Sequence, residues 1–178
     1  MIKITEYAHS QFEGKDYSDK ILVDMTAGRG QDTLFLASIA KEVYAFDIQK
    51  EAIETTRRVL ENHHIDNVVL INDDHSRIDH YLKNAIDGGI YNLGYLPKGD
   101  QKLRTKAETT IASLEKLFGL LAVGGLIVIV CYEKDDLKES QTLQTYLSKL
   151  PSRKFDVMKH LVLNKNLSPY LITISKLS

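Results

Sequence analysis

Cysteine, proline and net charge are all scarce in this chain. The one cysteine, Cys131, has no counterpart for an internal disulfide, which fits a reducing, cytoplasmic setting. It lies in an apolar run and reads as a small core residue rather than a nucleophile. Three prolines in 178 residues, with no low-complexity tract, linker or internal repeat, lead us to expect one domain over 1–178. A formal net charge of −1 excludes recruitment of nucleic acid by a whole-surface field. Any such partner must be held by a local patch. No stretch reaches transmembrane length, and the opening MIKITEYAHSQF lacks the apolar core of a signal peptide. No membrane association is expected.

What the chain does have is alternation. Short apolar, β-branched runs near 21–25, 43–47, 67–72, 89–93 and 125–131 read as strands. Amphipathic segments near 31–40, 50–63, 76–85 and 105–121 read as helices between them. A further helix near 136–149 leads into KFDVMKHLVLN, a turn holding Ser168 and Pro169, and YLITISKL. The last two runs must pair antiparallel. The expected fold is α/β: a mostly parallel seven-stranded sheet, helices on both faces, and a C-terminal antiparallel hairpin. Class I methyltransferases have this Rossmann-like arrangement, whereas a plain dinucleotide-binding domain usually keeps every strand parallel.

The first strand ends in Asp24 and is followed by Thr26, Gly28 and Gly30 before a helix opens with Gln31, Asp32 and Thr33. Glycines let the backbone lie close to a ligand, and the helix start offers unpaired N–H groups. A pyrophosphate at this turn would be repelled by the carboxylate. S-adenosylmethionine carries no phosphate but has an ammonium and a sulfonium, which a carboxylate favours. After the second strand, Asp47, Ile48 and Gln49 are placed to meet a ribose, with Asp47 accepting from its hydroxyls. That feature alone suits NAD equally well. After the third come Asp73, Asp74 and His75, which can meet an adenine. Asp74 is equally a candidate helix cap. Three consecutive residues converge poorly on one ion, so no metal site is expected.

The fourth strand ends in IYNLGYLPKGDQK. Asn92 can orient a substrate amine, with the carbonyls of Leu93 and Gly94 sharing the task, and Tyr95 offers a face for a planar base. The arrangement parallels the Asn-Pro-Pro-Tyr loop of amine-directed nucleic-acid methyltransferases. Methyl transfer needs alignment, desolvation and a route for a proton. Lys98, Lys102, Arg104 and Lys106 follow, opposed only by Asp100, and form a basic stretch suited to a phosphate backbone. Arg153, Lys154, Lys159 and Lys165 add positive charge later in the chain. Residues 1–20 stand outside the alternation. They can form a short helix over the cofactor site, with His9 touching cofactor or acceptor, or packing without a role.

Taken together, these residues resemble the bacterial family known as "putative rRNA methylase". The likeness runs nearly end to end. It rests on Ala8-His9, DMTAGRGQDTLFLA at 24–37, AFDIQ at 45–49, NLGYLPKGD at 92–100, TTI at 109–111 and NKNLSPYLITI at 164–174. The family usually has Asn at the place of Arg29, His at that of Gln31, and Gly at that of Lys98. A Ser-His-Glu run is Asp74-His75-Ser76 here, and a Tyr-x-Gly-His element is reduced to Tyr132-Glu133-Lys134-Asp135. The resemblance implies methyl transfer from S-adenosylmethionine to the 5-aminomethyl nitrogen of a wobble 2-thiouridine in the tRNA anticodon region. A primary alkyl amine is mostly protonated at neutral pH and must lose a proton before attack. Asp100, Tyr95 and His9 are the candidate groups. A homodimer would enlarge the basic surface open to a tRNA. An rRNA or a small amine as acceptor, and an NAD-linked oxidoreductase, are the competing readings.

Overall fold

Two apolar faces per strand dictate the architecture. In β1 (Ile21–Asp24), Leu22 and Val23 are both fully buried but enter different clusters of the core. The same alternation runs along β5 (Leu121–Cys131). Ile127 and Ile129 join the cluster of Val23, while Leu126, Val128 and Val130 join that of Leu22. A strand covered on both sides has no polar face, which is why these runs are continuously apolar. Each such side chain contributes roughly 1.5–3 kcal/mol of burial.

The computed structural model describes residues 3–94, 107–132, 137–166 and 168–178. Among them, seven strands form one sheet. The remaining strands are β2 (Glu42–Phe46), β3 (Val68–Ile71), β4 (Ile86–Asn92), β6 (Phe155–His160) and β7 (Tyr170–Lys176), and the order is β3-β2-β1-β4-β5-β7-β6. The first five of these are parallel, β7 is antiparallel to β5 and β6, and the order reverses between β1 and β4. Ligands of open parallel sheets sit at the carboxyl edge of such a reversal.

Helices α1 (Ile4–Ser10) and α2 (Gln31–Ile39) cover one face with Ala8, Leu36 and Ala37. Helix α3 (Lys50–Asn62) packs Ile53 against Ala27 and Ala45. The other face is covered by α4 (Ile78–Tyr81), α5 (Ala107–Leu120) and α6 (Leu137–Leu147), through Ile78, Leu114, Leu117, Leu143 and Leu147.

Three expectations are corrected. The helix expected over 76–85 is one 3₁₀ turn (His75–Arg77) and the four-residue α4, after which Leu82 is already extended. Ile86 must pair beside Leu121 in the core, so the chain leaves the helix early. β4 therefore starts three residues before the expected 89, its onset disguised by the poor strand former Gly88. β5 likewise begins at Leu121 rather than 125, because a register shift sets Leu121 beside Ile86 and Leu126 beside Gly88, with residues 122–125 accommodated between them. The N-terminal segment forms the expected short helix, α1, and is built into a layer: Ala8, Phe12 and Tyr17 are buried in one core cluster. Among the described residues, His9 is the α1 side chain that bonds to a residue of the expected site.

Candidate active site

Asp24 closes β1 and organises everything after it. Its Oδ1 accepts from the Thr26 N–H at 3.0 Å, and its Oδ2 accepts from the Thr33 hydroxyl at 2.6 Å. The carboxylate thus clamps the loop onto the first turn of α2. It is entirely enclosed. Burial, reinforced by the nearby Asp32 charge, pushes its pKa up to about 7, against the pull of these two bonds. Each oxygen already holds one bond within the loop, so Asp24 shapes the turn as well as setting its field.

Asp47, at the end of β2, is the more accessible carboxylate. Its Oδ2 accepts from the Gly28 N–H and its Oδ1 from the Gln49 N–H, each at 2.9 Å. Every carboxylate oxygen has a second acceptor direction, so Asp47 keeps capacity for a diol. Burial raises its pKa, partly offset by these bonds and by His75. Ile48 beside it is half exposed, an apolar side chain at the sheet edge. Gly30 adopts φ +82°, and a Cβ there would meet Thr56 atoms at 3.1–3.2 Å. Any other residue would strain the turn. As the N-cap of α2, Gly30 also supplies no side-chain cap, leaving the first-turn N–H groups to a ligand or solvent.

The third strand end is quieter. Asp73 accepts from the Tyr81 hydroxyl at 2.6 Å and pairs with Arg77. Asp74 Oδ1 accepts from the Ser76 N–H at 2.8 Å, the capping role. His75 turns inward under the loop, its Nδ1 donating to the Met25 carbonyl at 2.9 Å and its ring edge-on to Tyr91. Its Nε2 is buried with no partner among the described residues, and burial lowers its pKa. The ring is thus a neutral imidazole that supports the loop from beneath.

The reversal point gathers the rest. The Asn92 N–H donates to Thr26 Oγ1 at 2.7 Å, and Asn92 Nδ2 donates to Asp32 Oδ2 at 3.1 Å. His9 Nε2 donates to the other oxygen of Asp32 at 2.7 Å. The His9 ring stacks on Phe35, centroids 4.0 Å apart and planes 3° from parallel. Asp32 therefore joins residues from α1, α2 and β4. Leu93 is fixed beside it, its N–H donating to the Val130 carbonyl at 2.9 Å. At Gly94 a Cβ would lie 3.2–3.3 Å from the Tyr132 ring, so a larger residue would push that ring aside.

Tyr95, Lys98, Asp100, Lys102, Arg104 and Lys106 lie outside the described residues. Two aromatics were not anticipated as site elements. Phe35 sits one helical turn after Asp32, so a group bonded to Asp32 would meet it. Tyr132 immediately follows β5, at the same carboxyl edge as the other site residues.

Comparison with known proteins places this geometry. Residues 43–176 match the profile of the family described as "Putative rRNA methylase". The tRNA (mnm(5)s(2)U34)-methyltransferase, chloroplastic, of Arabidopsis thaliana is 32% identical over 190 residues, spanning 98% of this chain and 69% of that protein. A methyltransferase from Streptococcus mutans, solved in complex with SAH, superposes with a TM-score of 0.93 at 36% identity, covering 99% of both chains. An rRNA-methylase from Clostridium thermocellum gives 0.94 at 34% identity, over 99% of this chain and 100% of that one. The sheet order and its antiparallel β7 are those of the class I methyltransferase fold, and the chain belongs to the rRNA methylase family.

Proposed function

We propose that this protein methylates the 5-aminomethyl nitrogen of a wobble 2-thiouridine in tRNA. The coarser statement, an S-adenosylmethionine-dependent methyltransferase, follows from the family and from the fit of the site. That fit is chemical. The loop that would approach the cofactor is crowded with carboxylates (Asp24, Asp32, Asp47), which suits a cationic, phosphate-free molecule. Asp47 retains acceptor capacity for ribose hydroxyls, and Gly30 keeps side-chain bulk away from the turn. When bound, S-adenosylmethionine supplies a methyl group already activated by its sulfonium.

The protein's own residues then have three tasks. Asp47, Gly28 and Gly30 hold the cofactor against the β1 and β2 ends, with Thr26, Gln31, Thr33, Ile48, Gln49, Asp74 and Leu93 completing the enclosure. Asn92 orients the acceptor. Its amide nitrogen is committed to Asp32, so Oδ1 is left as an acceptor with no partner among the described residues. An amine N–H donated to Oδ1 directs the nitrogen lone pair along the remaining axis. Methylation then forms an N–C bond while the C–S electron pair stays on sulfur, so the product is a secondary ammonium. The only proton to remove is the one the primary ammonium carries before attack, and enclosure beside Tyr132 favours its loss by desolvation. The Asn92 amide, its nitrogen bonded to Asp32 and its oxygen without a partner among the described residues, is the observation that carries this reading. The name of the Arabidopsis thaliana relative, matched over 69% of its length, supports the wobble nucleoside. The basic stretch from Lys98 to Lys106 supplies the charge that a tRNA backbone needs.

Nucleoside mass spectrometry of tRNA from cells lacking the protein tests the proposal. Accumulation of unmethylated 5-aminomethyl-2-thiouridine is expected. An unchanged tRNA profile together with a methyl missing from rRNA would transfer the assignment to the ribosome.

A further inference from the structure

We propose that His9 is a positioning residue for methyl transfer: acting through Asp32, it fixes the amide of Asn92 with Oδ1 turned to the acceptor nitrogen. This rests on the methyltransferase reading above. A carboxylate is acceptor-only. Asp32 Oδ2, 3.1 Å from Asn92 Nδ2, can therefore tolerate only the NH₂ end of that amide. A flipped amide would set two oxygens against each other. The direction of Oδ1 thus depends on where Asp32 is held, and the group that holds its other oxygen is His9, at 2.7 Å.

Asp32 needs that second donor. Its side chain is 8% exposed, and its field bears on the enclosed Asp24 nearby. A carboxylate so placed, with one donor withdrawn, rotates or draws in water. Either response releases Asn92. His9 is in turn clamped by its stack on Phe35, and α1 is anchored at its far side by the Tyr7 hydroxyl, 3.0 Å from His160 Nδ1. A helix remote in sequence thereby sets the orientation of one amide at the reversal point.

Three variants separate donation from packing. His9→Phe keeps an aromatic ring on Phe35 and removes the donor. His9→Gln places an N–H near the position of Nε2 without the ring. His9→Asn shortens that reach. In the full-length protein, His9→Phe and His9→Asn should lower kcat on bulk tRNA about 10–100-fold, the usual loss when a supporting partner is removed. S-adenosylmethionine affinity by calorimetry, which also reports folding, should stay within threefold. His9→Gln should recover kcat to within a few-fold. A wild-type kcat for His9→Phe, or a loss of cofactor affinity matching the loss of rate, would overturn the assignment.

A readout independent of substrate accompanies these. In ¹⁵N-labelled protein, the Asn92 side-chain NH₂ pair, identified by its disappearance in Asn92→Ala, should be sharp in wild type and His9→Gln. It should be broadened in His9→Phe. An unaltered pair in His9→Phe refutes the relay even if the acceptor proves not to be tRNA. An inactive wild type with the expected broadening instead indicts the tRNA assignment.

Discussion

The two halves of the sheet are built on opposite terms. In β3-β2-β1-β4, polar groups are buried where the strands end. Asp24, Asp32, Thr33 and His75 are all enclosed at the loops that follow, and Asp24 holds its charge only against a strong shift. Where β5 meets β7, most of the paired positions are apolar. Ile127 faces Ile174 and Ile129 faces Ile172, while the buried Ser140 and Thr173 bond to Tyr170 and His160 respectively. One half carries a concentration of charge that opposes folding. The other supplies burial that offsets it. Under the proposed function most of the site falls in the half whose stability is borrowed, and substitutions should divide accordingly.

Asn92→Ala should show the largest effect. Turnover falls by about 10²–10³-fold, as when a preorganised polar group facing the reacting atoms is removed. Cofactor affinity and melting temperature should move little, since Asn92 is half-buried and contributes one side-chain bond. Full turnover in the variant would remove Asn92 from the mechanism. Ile129→Ala is the complementary change. Ile129 is fully buried, and the cavity should cost about 2–5 kcal/mol in denaturant unfolding. Cofactor affinity, measured well below the melting temperature, should hold within twofold. A large loss of affinity would show that the halves are not separable.

How much of this division could be read from the residues depends on range. The strand ends were legible because a continuous apolar run and the Asp-loop-Gly pattern are local, and the antiparallel tail followed from two adjacent apolar runs. The link between His9, Asp32 and Asn92 was not. Its members lie 23 and 60 positions apart, and only the packing of α1 beside α2 brings them together. All three had been singled out, but in separate roles. Asp24 shows a second effect of range. Its place at a strand end was plain, yet the same Asp can look outward or fold back on its own loop. The bond from Thr33, nine residues later, decides for the second. The over-long helix at 76–85 failed similarly. Ile78 and Leu82 have helical spacing, and only the pairing of Ile86 with Leu121 shows why the helix stops.

Asp24→Asn sharpens the comparison within the polar half. The folded pKa of Asp24, about 7, lies above its ordinary 3.8. Between those values the native state binds more protons than the unfolded one, so its stability contribution is present at low pH and lost as pH rises toward 7. The asparagine has no charge to desolvate and retains an acceptor for Thr26 or Thr33. At pH 8 it should melt higher by roughly 3 °C, with the difference shrinking toward pH 4. Cofactor affinity should fall, because the loop loses a negative charge. A lower melting temperature at pH 8 would mean that the two bonds outweigh the cost of enclosure.

Tyr7→Phe is the smallest and most discriminating change, because α1 touches both halves. One side of the helix sends His9 to Asp32, and the other ties the Tyr7 hydroxyl to His160 on β6. Removing that hydroxyl deletes one hydrogen bond and leaves the ring's edge contact with His160 in place. About 1 kcal/mol of stability should be lost. If the helix is held mainly by the burial of Ala8 and Phe12, kcat will stay within twofold of wild type. A drop in kcat matching that of His9→Phe would place the tether itself in the path by which the apolar half steadies the reacting amide.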